Sequence, residues 1–337
     1  MTRGATGGSR MDAEGGLRLG VIDMGTVTTR LLVADVGPAG VREVVRRSKI
    51  THLGDGWTGT GRLSREAIAR VAETAAEYAG EAHALGAVDV VALATSAARD
   101  AENADELGDA LARSGVELRI ISGDEEAALT FAGATYELGG PGTLVVDVGG
   151  GSTELVLGSG TVVDGTLKVE AARSVDVGSK RVTELFLQSD PPAPREIEQA
   201  HAHVAEELRP FFVALKERPQ RMVSVAGTAT SLAAIDMALD PYDPERVHGY
   251  ALSGAAISDA LERLASVTLA ERKQVVGLEP DRASVIVAGA LILQTALALS
   301  GLDSTLVSEH DILYGAALDR YASLAGSPAR DEAGERG

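Results

Sequence analysis

The chain has 337 residues and no cysteine, which excludes disulfides, thiolate metal sites and a cysteine nucleophile. It also lacks an apolar run long enough to cross a bilayer. Residues 1–16 are polar and glycine-rich, unlike a signal peptide, in which a charged segment precedes an apolar one. We therefore expect a cytoplasmic protein with no membrane partner and a disordered N-terminal arm over residues 1–16.

Basic residues are in the minority. Lys and Arg number 31 against 49 Asp and Glu, which gives a net charge of −18. Proteins that coat nucleic acids need a basic surface that neutralises phosphates, so we expect no nucleic-acid partner. A polyanionic substrate would require a local concentration of Lys and Arg strong enough to overcome the mean negative field. The composition therefore predicts, for such a substrate, a basic cleft on an acidic body.

Three common catalytic motifs are also absent. The one Gly-Ser-Lys run, at 178–180, lacks the upstream glycine spacing of a Walker A sequence. Neither the His-Glu-x-x-His of zinc proteases nor the Gly-x-Ser-x-Gly nucleophile elbow occurs. These absences weigh against a P-loop nucleotide site, a zinc protease and covalent serine hydrolysis.

Two stretches that are present, 21–32 and 145–156, have nearly the same pattern. Each is an apolar strand that ends in Asp, followed by a turn of glycines and hydroxyl residues and by a second apolar strand. Such a turn points backbone N–H groups into one concavity, and the Asp at the strand tip can hold a cation or its water. The repetition predicts a duplicated fold with a site for phosphoryl groups.

Strand and helix patterns alternate along the chain, which predicts an α/β class. The spacing predicts an amphipathic helix over 64–85 with Ser64 as its N-cap, and a very apolar helix over 283–299. From Ser253 to Leu324 the pattern is mostly helical. We place a domain border at 138–142, which gives an N-terminal domain over 17–138, a C-terminal domain over 139–325 and a polar tail over 326–337, with a final helix near 310–325 packing back on the first domain.

Glu126 is the candidate general base. Ser122 and Glu125 have the Ser-x-x-Glu spacing of a capping box at the start of a helix, which assigns Glu125 a structural role. Glu126 has no such role, and the positive end of the helix favours its ionised form. A carboxylate fixed there can orient and deprotonate a water that attacks phosphorus. The alternative is an acidic residue that serves only the helix dipole.

Asp147 and Glu154 flank the second glycine-rich turn. An Asp at a strand tip before Gly149, Gly150 and Gly151 is suited to Mg²⁺, which prefers oxygen ligands and retains waters. The alternative is a tight structural turn without a ligand.

Further donors follow other strands. Arg99 comes just after a buried strand, where α/β proteins place ligands, and its planar fork can clamp a phosphate; the alternative is a surface ion pair. Gly227 and Thr228 follow a strand in the same way, whereas Thr230 is as well explained as an N-cap. The loop 174–184, with its Lys and Arg, and the run Arg46, Arg47 and Lys49 offer more positive charge.

The combined pattern resembles the exopolyphosphatase and guanosine pentaphosphatase family, within the superfamily of acetate kinase, actin and the heat-shock ATPases. The matching segments run in family order: DMGT at 23–26, ATSAARDA at 94–101, ISGDEEA at 121–127, DVGGGSTEL at 147–155, VAGT at 225–228 and YDPERVHG at 242–249. The resemblance implies two ribonuclease H-like domains around a central cleft, in the short two-domain form. It also implies a homodimer.

The resemblance and the residue patterns together give the candidate site. By the resemblance, Asp147, Gly149 and Glu154 match residues that bind the metal and phosphate, and Arg99 matches a phosphate-contacting arginine. Glu126 matches the catalytic glutamate, and the cofactor is Mg²⁺, with Mn²⁺ as an alternative. The metal candidates are Asp23, Asp147 and Glu154. The phosphate-binding candidates are Gly25, Thr26, Thr28, Arg30, Arg99, Gly149, Gly150, Gly151, Ser152, Gly227 and Thr228.

Two positions depart from the family pattern. Val27 stands where the first turn usually has an Asn, and Val cannot donate a hydrogen bond, so we expect a weaker grip on one phosphoryl group or a changed substrate preference. Near the end, a position often held by a basic residue lies in the run 307–315, which is acidic instead; this makes the cleft less suited to long chains.

The expected activity is release of orthophosphate from the ends of inorganic polyphosphate by Mg²⁺-assisted attack of water. One alternative is a phosphatase for guanosine pentaphosphate or another nucleotide, with residues 227–230 contacting the nucleoside. A second alternative is a non-catalytic sensor of nucleotide or phosphate.

Overall fold

The structure, a computed structural model, describes residues 16–38, 40–162 and 165–325. Its two β-sheets each carry helices on both faces. The strands are β1 Leu17–Met24, β2 Thr28–Gly37, β3 Gly40–Ile50, β4 Asp89–Ala94, β5 Leu118–Ile120, β6 Thr143–Val148, β7 Thr153–Ser159, β8 Lys168–Val175, β9 Arg221–Val225, β10 Ala251–Ser253 and β11 Ser304–Val307.

The helices alternate with these strands, as the pattern predicts. They are α1 Trp57–Thr60, α2 Arg65–Ala84, α3 Ser96–Arg99, α4 Ala104–Ala112, α5 Gly123–Leu138, α6 Ser179–Phe186, α7 Pro194–Ala214, α8 Ala226–Asp236, α9 Pro244–Val247, α10 Gly254–Ala265, α11 Leu269–Arg272, α12 Ile286–Ser300 and α13 Ile312–Ala325, with a 3₁₀ turn at Pro280–Arg282.

The two sheets have the same topology. The first has the order β3-β2-β1-β4-β5, and the second has β8-β7-β6-β9-β11 with β10 added at its edge. In each, two antiparallel strands flank the first strand on one side, and parallel strands follow on the other. This common order confirms the α/β class and the predicted duplication.

The central strands are buried on both faces, which explains their nearly continuous apolar sequence. In β1, Ile22 and Met24 pack with α2 and α4, whereas Leu19 and Val21 face α13. In the second sheet, Val145 packs against Phe131 of α5, and the opposite face packs with α7, α8 and α12. Each sheet therefore has its own apolar core and presents the ends of its central strands to a shared cleft.

Two helices connect the sheets. Helix α5 packs on the second sheet, helix α13 packs on β1 and β2 of the first, and the two helices pack against each other. Their contact is so close that a Cβ on Gly133 would overlap the carbonyl of Asp311, and one on Gly315 would overlap that of Leu129. The division of the chain at 138–142 stays a prediction.

The predicted N-caps of the two long N-terminal-half helices are confirmed. Ser64 accepts a hydrogen bond from the amide of Ala67, and Ser122 accepts one from the amide of Glu125. The second bond of the predicted capping box, in which the Glu125 carboxylate would accept the amide of Ser122, is wrong, because this carboxylate pairs with Arg119 instead.

The prediction that 253–324 is mostly helical misses β11 and the end of the short β10. The prediction that 174–184 is a loop is wrong, because this segment includes the end of β8 and most of helix α6. The disordered arm, apart from Gly16, and the polar tail lie outside the described residues. Within the part of the chain that the structure describes, no helix combines the length and apolar character needed to span a membrane.

Candidate active site

The two glycine-rich turns meet at the bottom of the cleft. Both are closed by the same hydrogen bond, from Gly25 N to Thr28 O at 2.9 Å and from Gly149 N to Ser152 O at 3.0 Å. A Cβ on Gly151 would lie 2.8 Å from Thr26 Oγ1. The absence of side chains on the second turn therefore lets the two turns touch, and they enclose a cavity of about 100 Å³.

Every predicted site residue except Arg99 lines this cavity. The lining residues from the predicted set are Asp23, Gly25, Thr26, Thr28, Arg30, Glu126, Asp147, Gly149, Gly150, Gly151, Ser152, Glu154, Gly227 and Thr228. They come from the hairpin β1–β2, the hairpin β6–β7 and the first turns of α5 and α8. The fold thus brings together four separate segments that the sequence analysis singled out independently.

Glu126 lies in the first turn of α5 with 8% of its surface exposed. Arg99, just behind the cavity wall, donates from Nη1 to Glu126 Oε2 at 2.8 Å. Burial raises the pKa of Glu126 to about 7, against the opposing effects of Arg99 and of a hydrogen bond from Thr95. The side chain is therefore a buried, oriented carboxyl whose proton affinity suits a base near neutral pH.

Asp147 and Glu154 are neighbours across the β6–β7 ladder. Glu154 Oε1 accepts a hydrogen bond from Ser174 Oγ at 2.7 Å. Burial is the main cause that raises the pKa of Asp147 to about 7 and that of Glu154 well above its usual value, and the nearby charge of Glu126 adds to both. Two buried carboxylates of this kind, without a basic partner in contact among the described residues, form a set of hard oxygen ligands.

The first hairpin, β1–β2, differs from the second, β6–β7, in the residue opposite the strand-tip Asp. Arg30 pairs with Asp23 in the β1–β2 ladder, at the position that Glu154 occupies opposite Asp147. Arg30 Nη2 lies 2.5 Å from Asp23 Oδ2, and its Nη1 pairs with Asp311 at the start of α13. The duplication therefore gives one hairpin an ion pair and the other a pair of carboxylates, so the second hairpin is the better cation site.

The expectation of a basic cleft is wrong for this cavity. Its charged lining comprises the carboxyls Asp23, Glu126, Asp147 and Glu154 and the guanidinium groups of Arg30 and Arg282. A triply or doubly charged phosphoryl group would meet net repulsion there. A divalent cation at Asp147 and Glu154 removes that repulsion, since Mg²⁺ takes oxygen ligands and retains waters that fill the remaining positions. The residues present therefore fit such an ion.

The start of α8 forms the third wall of the cavity. Ala226 has a φ of 63° and begins the helix, and Ala226, Gly227 and Thr228 of its first turn line the cavity. The alternative role of Thr230 as an N-cap is wrong, because Thr230 lies inside α8 and donates its hydroxyl to Ala226 O at 3.3 Å. Gly227 and Thr228 are thus presented by a helix start, as in sites that bind anions.

The profile of the Ppx/GppA phosphatase family matches residues 32–319. The chain belongs to this family. It is 40% identical over 328 residues to a protein named exopolyphosphatase 2 from Mycobacterium tuberculosis, and the alignment covers 92% of this chain and 99% of that protein. The resemblance drawn from the sequence is therefore confirmed.

Solved structures of Ppx/GppA proteins have the same fold. A family member from Aquifex aeolicus superposes with a TM-score of 0.77 at 30% identity and covers 93% of this chain and 100% of that one. An exopolyphosphatase from Cytophaga hutchinsonii superposes with a TM-score of 0.82 at 26% identity, with 92% and 99% covered. The prediction of a phosphate-releasing hydrolase agrees with this membership.

Helix α6 closes the cleft of this Ppx/GppA protein from one side. The amides of Ser179 and Lys180 donate to the carbonyls of Gly149 and Gly150, at 2.8 and 2.9 Å. Lys180 Nζ lies 2.7 Å from Asp55 Oδ1 on the loop that follows β3. The donors expected from the 174–184 segment are therefore engaged in holding the second turn against the first sheet.

Sequence reasoning missed Arg282, which lies in the 3₁₀ turn before α12. Its guanidinium packs over Gly227, where any side chain would overlap it, and it lines the cavity. The only local sign of this contact in the sequence is the glycine at the start of α8. A glycine does not indicate which residue packs over it, and Arg282 lies 55 positions further along the chain. Arg282 is the cation that faces the cavity from the second sheet.

A second cavity, of about 640 Å³, adjoins the first. The two share Arg30, Ala226, Gly227 and Arg282 in their walls. Leu239, Tyr242 and Leu278 contribute apolar surface to the larger one. The small cavity therefore opens into a space that can take the remainder of a substrate whose end lies among the turns.

Proposed function

We propose that this chain hydrolyses the terminal phosphoanhydride of inorganic polyphosphate and releases orthophosphate. One observation carries the proposal: the buried carboxyl of Glu126 lines the same small cavity as both glycine-rich turns and the carboxylate pair of the second hairpin. The name of the 40% identical relative supports this substrate.

In this reaction a water oxygen forms a bond to the terminal phosphorus as the bond from phosphorus to the bridging oxygen breaks. Glu126 orients the water and accepts its proton, while Arg99 keeps the carboxylate in place. The amides and hydroxyls of the two turns stabilise charge on the transferred phosphoryl oxygens. The leaving group is the polyphosphate chain shortened by one unit.

Mg²⁺, with Mn²⁺ as an alternative, would bind at Asp147 and Glu154 and neutralise charge on the terminal phosphate. Asp23 is a weaker candidate ligand, because Arg30 occupies its Oδ2. Its Oδ1 is buried and has no hydrogen-bond partner among the described residues, so it remains able to accept a hydrogen bond from a group that enters the cavity.

A guanosine pentaphosphate phosphatase is the second candidate function. The observation that favours it is the larger cavity, where Leu239 and Tyr242 lie near the start of α8 and offer room for a nucleoside. The contact of residues 227–230 with a nucleoside stays a prediction. A cytoplasmic location and a homodimer stay expectations from the sequence.

Orthophosphate release from short polyphosphate, long polyphosphate and guanosine pentaphosphate, measured in parallel with Mg²⁺, tests the proposal. We expect turnover of at least one polyphosphate at a higher kcat/KM than that of the nucleotide. Preferential turnover of the nucleotide would favour the second candidate. Binding without turnover of any of the three would indicate a sensor.

A further inference from the structure

The larger cavity carries balanced charge instead of the positive field that a polyanion channel needs. Its charged lining consists of four cations and four carboxylates. The cations are Arg30, Arg46, Lys273 and Arg282, and the carboxylates are Asp240, Glu279, Glu309 and Asp311. A phosphate chain that extends from the first cavity into this space therefore meets as many negative as positive groups.

Each arginine of this wall is already paired. Arg30 binds Asp311, and Arg46 lies 3.7 Å from Glu309 and 3.0 Å from Glu43. Arg282 Nε is 2.9 Å from Glu279. Among the described residues, Lys273 is the lining cation without an ion pair. The arginines that the sequence offered to a polyanion are thus largely neutralised before any substrate arrives.

Glu309 is held in the wall by four contacts with three residues, His248, Arg46 and Tyr242. Its amide donates to His248 Nδ1 at 3.2 Å, and its carbonyl accepts from Arg46 Nη1 at 2.7 Å. Its carboxylate accepts the hydroxyl of Tyr242 and faces Arg46. With 14% of its side chain exposed, Glu309 cannot swing out into solvent when another negative group approaches.

Asp311 is fixed in a similar way. Its Oδ1 accepts the amide of Leu313 at 3.0 Å in the first turn of α13, and its Oδ2 binds Arg30. The close packing of its carbonyl on Gly133 of α5 fixes the backbone. Two carboxylates are therefore built into the wall of the larger cavity.

We propose that Glu309 and Asp311 are specificity-determining residues that restrict the substrate of this enzyme to short polyphosphates. The inference rests on the proposed function and deepens it. A short chain places its phosphoryl groups among the turns and the cation of the first cavity. A long chain adds units that face the fixed carboxylates and gain no net attraction from the paired arginines.

The test compares Glu309→Gln with Glu262→Gln, which makes the same charge change at an exposed position on α10. Gln keeps an acceptor for the Tyr242 hydroxyl, so the wall stays intact. We expect Glu309→Gln to lower KM for long polyphosphate by about fivefold at low salt, with less effect at high salt. KM for tripolyphosphate should change little, and Glu262→Gln should match the wild type for both.

A second variant keeps the proposal testable if Glu309→Gln unfolds. Asp240→Asn removes another carboxylate of the same wall. Because Asp240 is exposed, we expect Asp240→Asn to lower KM for long polyphosphate as well, but by less than Glu309→Gln does. An unchanged ratio of KM for long and short chains in these variants overturns the proposal.

Binding separates this inference from the proposed function. Affinities of tripolyphosphate and long polyphosphate for the Glu126→Gln protein, with and without Glu309→Gln, give the same comparison without turnover. A wild type that releases no orthophosphate contradicts the proposed function. The ratio of the two affinities still tests the role of Glu309. That role is supported if Glu309→Gln raises the affinity for long polyphosphate relative to that for tripolyphosphate, and it is refuted if the ratio does not change.

Discussion

Arg99 and Glu126 form a partly buried ion pair, with Nη1 of the arginine 2.8 Å from Oε2 of the glutamate. The arginine comes from helix α3 at the end of β4, and the glutamate from the first turn of α5. The pair opposes the effect of burial on the carboxyl and fixes its orientation in the cleft wall. We therefore propose that Arg99 positions Glu126, and its contact with phosphate stays a prediction.

Replacing Glu126 with Gln should remove the base and leave the fold intact, because Gln keeps the size and one acceptor of the carboxyl. We expect kcat to fall by about 10²–10⁴-fold, with binding of polyphosphate retained. Orthophosphate release and a binding assay measure the two quantities. Glu125→Gln is the matched control, since this neighbour is bound to Arg119 and does not line the cavity. Equal activity of the two variants would exclude Glu126 as the base.

Replacing Arg99 with Ala should shift the pH dependence of kcat/KM. Without the guanidinium, the pKa of Glu126 rises above its present value of about 7, so the base stays protonated at neutral pH. We expect the acid limb of the profile to move up by about one pH unit or more, with activity partly recovered at alkaline pH. A uniform loss at every pH would show instead that Arg99 binds the substrate or only supports the fold.

The sequence predicts the parts of this site that are local, because their signals lie within a few residues. An Asp before glycines and hydroxyls identifies both turns, and the Ser122 cap leaves Glu126 without a structural role. The partners of these groups come from distant segments: Arg30 binds Asp311, and Arg282 packs over Gly227. Composition and spacing carry no information about such pairs, so the sequence predicts Arg30 as a phosphate ligand and does not single out Arg282.

The same reasoning explains the missed strands. Strand β8 is an edge strand with mostly exposed side chains, so it lacks the alternation that identifies a half-buried strand. Strand β11 is four residues long and lies inside a region of helical spacing. The apolar helix predicted over 283–299 is found as α12, because its continuous burial leaves a strong signal over its whole length.

The stability of the protein without divalent cations should fall as pH rises from about 4.5 to about 7. Burial raises the pKa of Glu126 and of Asp147 to about 7 in the folded state. In this window the unfolded chain has released protons that the folded chain still holds, so ionisation favours unfolding. We expect a higher Tm at pH 5.5 than at pH 8 in the absence of Mg²⁺.

Mg²⁺ should reverse this trend, because it binds the ionised carboxylates and relieves their repulsion. We expect the rise in Tm on adding Mg²⁺ to be larger at pH 8 than at pH 5.5. Asp147→Asn should lose most of that rise, whereas Asp259→Asn on the exposed face of α10 should keep it. A response to Mg²⁺ that is the same in both variants would place the ion elsewhere.

Replacing Gly151 with Ala should separate the two turns. The new methyl would overlap Ser96 Oγ and lie 2.8 Å from Thr26 Oγ1. Because a shift of about 1 Å can cost about 10²-fold in rate, we expect a loss of that order in kcat/KM without loss of secondary structure. Gly80→Ala in helix α2 is the control, since its Cβ would meet nothing within 4 Å. That variant should keep full activity and gain about 1 kcal/mol of stability.

Val27 offers a test of the first turn that leaves its backbone unchanged. The carbonyl of Val27 accepts the amides of Thr51 and His52 at 2.9 and 2.8 Å, so the turn is fixed independently of the side chain. The side chain itself lines the cavity and lies against Gly150 of the second turn. An amide group there adds a donor at the place where the two turns meet.

Val27→Asn should therefore lower KM for polyphosphate by about threefold to tenfold, the effect of one added hydrogen bond of typical net strength. Steady-state orthophosphate release over a range of substrate concentrations measures it. Val27→Leu, which changes the shape without adding a donor, should leave KM unchanged or raise it. If Val27→Asn and the wild type have the same KM for every substrate, the missing donor does not limit phosphate binding, and the valine serves only to pack the second turn against the first.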